Sequence, residues 1–139
     1  MIAGKNMKTR YLSLAVLFSL LLATGCASQP EWARYELCFG LSADSGNTRI
    51  SDEQWQEFRD HEISSRFPDG YTVTPGTGYW RNQATTYSEP AEILLVTAPD
   101  TTDTRKKLDE IASAFARKFI QDSVLEIKSP ANVEFHRYP

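Results

Sequence analysis

Apolar and polar positions fall into distinct periods along this chain. Leu12 to Ala23 is an apolar run broken only by Ser13 and Ser19. As a helix its twelve residues reach ~18 Å, short of the ~30 Å hydrocarbon core, so it predicts an export signal rather than a permanent span. Beyond it, Tyr35, Leu37, Phe39 and Leu41 alternate with smaller or polar neighbours, the period of a half-buried strand. Ala43 to Asn47 is turn-rich. Ser51 with Gln54 three residues on predicts a capping box, and Ile50 with Trp55 predicts the hydrophobic staple around it. Trp55, Phe58 and Ile63 then share one face of a helix, which Phe67-Pro68-Asp69-Gly70 ends.

Tyr71 to Val73 starts a second strand. Pro75-Gly76-Thr77-Gly78 interrupts it, Tyr79-Trp80-Arg81 resumes it, and Pro75 marks it as an edge or a bulge. After a polar loop, Glu92 to Ala98 predicts a third strand with apolar residues on both faces, as in a covered central strand. Asp100 to Asp103 supply helix-start residues. Leu108, Ile111, Ala112, Phe115 and Phe119 follow the helical spacing. Ser123 to Lys128 predicts a fourth strand, and Val133 to Phe135 a short last one.

The order strand, helix, strand, strand, helix, strand predicts an α+β fold: a ferredoxin-like βαββαβ two-layer sandwich, its antiparallel sheet carrying both helices on one face. Right-handed crossovers put the first and third strands at the centre. Both carry large apolar groups on each side, so the helix-free face is expected to meet an apolar ligand or a second copy in a homodimer.

Charge and targeting narrow the setting. Lys5, Lys8 and Arg10 precede the apolar run, and no acidic residue occurs before Glu31. A start at Met7 instead of Met1 leaves this logic intact. Leu22-Ala23-Thr24-Gly25-Cys26 resembles the lipobox of bacterial lipoproteins. That resemblance implies cleavage before Cys26, a diacylglycerol thioether on its sulfur and an N-acyl chain such as palmitate, enough lipid for a stable anchor. Residues 1–25 are then the signal peptide, 26–33 the lipidated cysteine with a short tether, and 34–139 a single domain. Ala27 and Ser28 follow the cysteine, and the absence of Asp there resembles the enterobacterial sorting pattern for an outer-membrane destination, which implies its periplasmic face in a cell that has one. Ala27 to Ala33 spans at most ~25 Å, which keeps the domain near its membrane. Trp32 then reaches the headgroup zone or packs on the domain. The mature chain keeps 12 of the 15 basic residues and all 18 acidic ones, a net charge of −6, which argues against nucleic acid.

The residues from Tyr35 onward resemble a family of secreted bacterial domains of unknown function, numbered 3574. The resemblance rests on Phe39-Gly40-Leu41-Ser42, Phe67-Pro68-Asp69-Gly70, Gly78-x-Trp80-Arg81, Glu89 and Gln121-Asp122-Ser123-Val124. It supports the domain boundaries and adds little about activity.

Candidate chemistry is sparse. With Cys26 lipidated, Cys38 is left as a lone thiol in an apolar stretch, expected to be buried and inert. Arg81, beside a Gly-rich bend, has the geometry to clamp a carboxylate or phosphate; a structural pair with Glu89 across the hairpin is the favoured alternative. Trp80 fits the core. Asp69 fits a cap of its own turn. His61 and His136 have no ligand spacing and read as surface residues. Gln121 and Ser123 read as closing the second helix. Arg105, Lys106 and Lys107 read as a solvated face. No metal site and no cofactor motif is evident.

The favoured function is a non-catalytic binding or interaction module at the envelope, taking an envelope protein or a small ligand through Asp69, Trp80, Arg81 and Glu89. Two alternatives stand beside it: a small hydrolase- or isomerase-like enzyme with its site near the second and third strands, and a purely structural homo-oligomer.

Overall fold

The computed structural model describes residues 31–43 and 48–139. The signal segment, Cys26, most of the tether and the centre of the 43–47 loop lie outside the described residues. Strand β1 (Trp32–Gly40) begins inside the segment assigned to the tether. The short β2 (Ser42–Ala43) and β3 (Thr48–Arg49) pair with each other. Helix α1 (Asp52–Phe58) continues without a break as a π-helical turn over Arg59–Ile63. Then follow β4 (Thr72–Asn82), β5 (Thr85–Pro99), helix α2 (Thr102–Phe119) and β6 (Leu125–Ala131).

The fold is α+β. Four strands form an antiparallel sheet in the order β4-β5-β1-β6, so the first and third long strands lie at its centre. Along β1, every second residue is fully buried: Ala33, Tyr35, Leu37 and Phe39. Their partners Leu94 and Val96 on β5 share that face, as facing residues in a ladder must. Against it pack Trp55, Phe58 and Ile63 from the first helix and Leu108, Ile111, Phe115 and Phe119 from the second.

Local chemistry explains the elements. Ser51 Oγ accepts from the Gln54 N–H at 3.2 Å, and the Gln54 side chain accepts from the Ser51 N–H at 2.9 Å, so the capping box is complete. Ile50 and Trp55 are both buried beside it. The five-residue step from Phe58 to Ile63 would carry Ile63 about 140° around an α-helix, off the apolar face. The π turn, closed by the Ser64 N–H donating to the Arg59 carbonyl at 2.9 Å, widens the helix and returns Ile63 to the core. Gly70, at φ 127°, takes the turn conformation that other residues resist.

Several sequence expectations are corrected. β4 runs unbroken through Pro75 and Gly78; Pro75 is tolerated because β4 is an edge strand. The polar loop before the third strand is itself strand, since β5 begins at Thr85 and pairs with β4 up to Asn82. The last strand ends at Ala131, and residues 133–135 form no strand. Phe135 instead packs edge-on against Trp32, ring centroids 5.9 Å apart. On the helix-free face the first strand is polar where apolar groups were expected, while Leu125 and Ile127 of β6 lie exposed on it. β1 presents Arg34, Glu36 and Cys38 there, with Arg34 paired to Glu36 at 3.1 Å. Ile93 and Leu95 of β5 are only half-buried on it. Among the described residues, no helix is long and apolar enough to cross a membrane.

Candidate functional site

β1 stops at Gly40, opposite Ala91, while β4 and β5 continue pairing to Asn82 and Thr85. The two strands therefore overhang the sheet as a ribbon. Its turn is tight, with Gln83 at φ 53°. Pairing fixes which side chains share a face. Gly78 faces Glu89 and Trp80 faces Tyr87, so these four lie together on the helix-free side.

Trp80 and Tyr87 stack across the ribbon with ring centroids 4.5 Å apart and planes inclined by 17°. Both remain accessible, at 40% and 44% exposure. An aromatic pair of this kind adds about 0.5–1.5 kcal/mol beyond area burial. One residue pair nearer the sheet, Glu89 turns its carboxylate back over Gly40. Its Oε2 accepts from the Ser42 N–H at 3.1 Å. A Cβ on Gly40 would lie 2.6 Å from Glu89 Oε1, so only glycine leaves the carboxylate this seat.

The far wall comes from the end of α2. Ile120 caps the helix in the left-handed conformation, φ 54°. That conformation is unusual for a β-branched residue. Gln121 then donates through Nε2 to the Ser42 carbonyl at 2.6 Å, tying the α2–β6 connection to the strand that carries the Glu89 donor. Between ribbon and connection lies an open pocket of about 530 Å³, with Cys38 and Gly40 in its floor. This falls in the usual range for small-molecule sites. Its charged lining residues are Glu89 and Asp122; among the described residues, no lysine, arginine or histidine lines it.

The structure brings two of the four sequence-predicted residues together: Trp80 and Glu89. Trp80 is not a core residue. Arg81 is not paired with Glu89, because it faces Thr86, one step out of phase, which puts it on the opposite side of the ribbon. Asp69 is exposed in a second cavity of about 270 Å³, shared with Trp32, Pro68 and Lys107. That cavity lies toward the other end of the sheet, where Trp32 pairs with Pro99. Cys38 is half-buried rather than buried. Burial pushes its thiol up and Glu36 adds to the shift, so it stays neutral. Gln121 both closes the helix and lines the pocket. His61 and His136 are exposed, as expected. Lys106 and Lys107 pair with Glu110 and Asp103 one turn away.

Tyr87 is a site residue outside the four expected from the sequence. Its signal was present: Gly78-x-Trp80 and Tyr87-x-Glu89 carry the same spacing of two, mirrored about a tight turn. Glu92 is a carboxylate with a raised pKa, driven first by burial and then by Asp52, with Arg59 opposing. It faces Phe39 and Pro75 on the helix side and does not line the pocket. Among the described residues, no three His, Cys, Asp or Glu side chains are placed to share a metal ion.

The family model described as "Protein of unknown function (DUF3574)" matches residues 34–135. No curated protein matches the chain. Among solved structures, a phage SAM lyase in complex with S-methyl-5′-thioadenosine superposes with a TM-score of 0.57 at 13% identity, over 73% of this chain and 82% of the lyase. A phage SAM lyase in the apo state gives 0.54 at 12% identity, over 76% and 92%. At these identities the likeness is one of fold.

Proposed function

Because the chain belongs to the DUF3574 family of proteins of unknown function, its activity is read from the site, and we propose a membrane-anchored envelope lipoprotein whose domain is a non-catalytic binding module. The observation that carries this reading is the Glu89 carboxylate seated on Gly40 beside the Trp80–Tyr87 stack, in a pocket of ligand size. Nucleophilic catalysis needs a nucleophile with a base beside it. Here the thiol is pushed toward its neutral form and, among the described residues, no histidine or lysine lines the pocket.

The sheet order, with a helix crossing between β1 and β4 and another between β5 and β6, is read as the ferredoxin-like βαββαβ sandwich. Cys26, as the lipidated residue, lies six positions before Trp32. β1 runs for nine residues from Trp32, ~26 Å between its ends, to Gly40. The pocket then opens at the membrane-distal end, toward the aqueous phase, and the Trp32–Phe135 pair sits at the proximal end. Radiolabelled palmitate incorporation that persists in a Cys26→Ala variant would count against the anchor.

Native mass spectrometry of the full-length protein, purified from envelopes, tests the module. A co-purifying small molecule lost in Glu89→Gln and Trp80→Ala supports it. Identical spectra for all three, with no thermal shift from any member of a metabolite library, would sink it.

A second reading is favoured by one observation, the likeness in fold to a phage SAM lyase over most of that chain. In that reading the pocket takes S-adenosylmethionine and cleaves it. Incubation with S-adenosylmethionine and chromatography for S-methyl-5′-thioadenosine decides it; unchanged substrate ends it.

A further inference from the structure

We infer that the pocket on the helix-free face selects a small organic cation: an alkylated ammonium, a sulfonium or a guanidinium group. The inference rests on the reading of this pocket as a ligand site and adds the class of ligand.

Three observations converge. The first is charge. Glu89 and Asp122 are the charged residues of the lining, and among the described residues no basic residue lines the pocket. Arg81, the basic residue nearest in sequence to Trp80, is held off by strand register on the other side of the ribbon. The field inside is therefore negative, within a mature chain that is itself acidic.

The second is hydrogen-bonding capacity. Glu89 Oε2 is occupied by the Ser42 N–H, whereas Oε1 accepts from none of the described residues. The carboxylate is held through one oxygen, and the other keeps its accepting capacity. That oxygen suits an N–H donor or a point of positive charge.

The third is the aromatic pair. Trp80 and Tyr87 cover one face of each other and both stay exposed. Aromatic faces carry negative potential and attract cations, Trp most strongly. An anion would meet the acidic Glu89 and Asp122 and aromatic faces, with no basic residue among the described lining to hold it. A neutral apolar ligand would have to bury the free carboxylate oxygen without a partner.

Choline and its neutral isostere 3,3-dimethylbutan-1-ol separate these cases, because they share shape and differ in charge. Binding of each to the full-length protein in neutral detergent is measured by calorimetry at low salt, with guanidinium as a second cation. The expected result is that choline or guanidinium binds at least about tenfold more tightly than the alcohol. Glu89→Gln removes most of that preference, Trp80→Ala weakens both cations, and Arg81→Ala changes neither. Equal affinity for choline and the alcohol, or no binding of either cation, overturns the inference. A neutral or anionic molecule released from the native protein and lost in Trp80→Ala overturns the cation class while the binding module stands. Absence of any released molecule, with silent probes, sinks both.

Discussion

The carboxylate of Glu89 occupies the space that a side chain on residue 40 would fill: a Cβ on Gly40 would lie 2.6 Å from Oε1 and 2.8 Å from Cδ. The obstructed group is the end of a flexible side chain, so it can swing away without moving the backbone. Gly40→Ala is therefore expected to fold normally while unseating Glu89 from the Ser42 N–H. One part-buried hydrogen bond of this kind is worth about 0.5–1.5 kcal/mol, which bounds the loss of stability. Choline binding should fall about as far as in Glu89→Gln. A denaturant titration and a calorimetric titration on the same sample check both halves.

Asp100 gathers the other end of the sheet. It accepts from Lys128, from the Tyr35 hydroxyl at 2.7 Å and from Arg105. Those donors, Lys128 foremost and then Tyr35, pull its carboxyl from 3.8 down to about 2. A depressed acid stabilises the fold above its unfolded pKa. That contribution is complete above about pH 3.8 and is lost as pH falls through about 2. Asp100→Asn should lower the urea midpoint at neutral pH and flatten its fall across this acidic window. Superimposable pH profiles would show that the cluster is incidental.

Tyr35 gives the opposite sign. Burial, then the bond to Asp100, pushes its phenol from 10.0 up to about 12. Its neutral form is the one the fold favours, so its contribution is complete below pH 10 and fades as pH rises toward 12. Tyr35→Phe keeps the buried ring and should remove that alkaline loss, read as a flatter urea midpoint above pH 10. An unchanged alkaline limb in Tyr35→Phe would contradict it.

Phe115 is the hub of the core. Its ring centroid lies 4.7 Å from that of Phe39, 4.9 Å from Phe119, 5.2 Å from Phe58 and 6.2 Å from Trp55. It therefore joins β1 to both helices. Phe115→Ala removes the shared partner and leaves a cavity, at a cost of about 3–5 kcal/mol. Phe115→Leu, which keeps more of the volume, should cost less than half of that. Urea unfolding of the two variants orders them; equal losses would contradict the packing argument.

The helical half of this fold was legible because its signals are local. Ser51 and Gln54 complete their box within one turn, and Leu108 to Phe119 repeat at helical spacing. The ribbon was not legible, because a polar stretch reads equally as a loop. A two-stranded ribbon beyond the sheet edge is wetted on both sides, so Thr85, Thr86 and Ser88 carry no hydrophobic alternation although they are strand. The same omission hid the site. Without the register that sets Trp80 opposite Tyr87 and Gly78 opposite Glu89, Arg81 was the natural partner for the carboxylate. Gln121 and Ile120 enter the pocket through tertiary folding, some thirty residues from Glu89, and no local pattern announces that.

Ile120 holds a left-handed conformation, φ 54°, at the end of α2 and is 71% exposed. A side chain there costs roughly 1–2 kcal/mol, and little burial offsets it. Glycine adopts this conformation freely but loses about 0.5–1 kcal/mol of chain entropy on folding. Ile120→Gly should thus raise stability by about 0.5–1 kcal/mol, measured by urea unfolding. The side chain also forms one wall of the pocket. If the strain is retained for the site, the same variant should bind choline more weakly while being more stable. A gain in stability with unchanged binding would assign Ile120 to the helix end alone, and a loss of stability would show that its contacts outweigh the backbone strain.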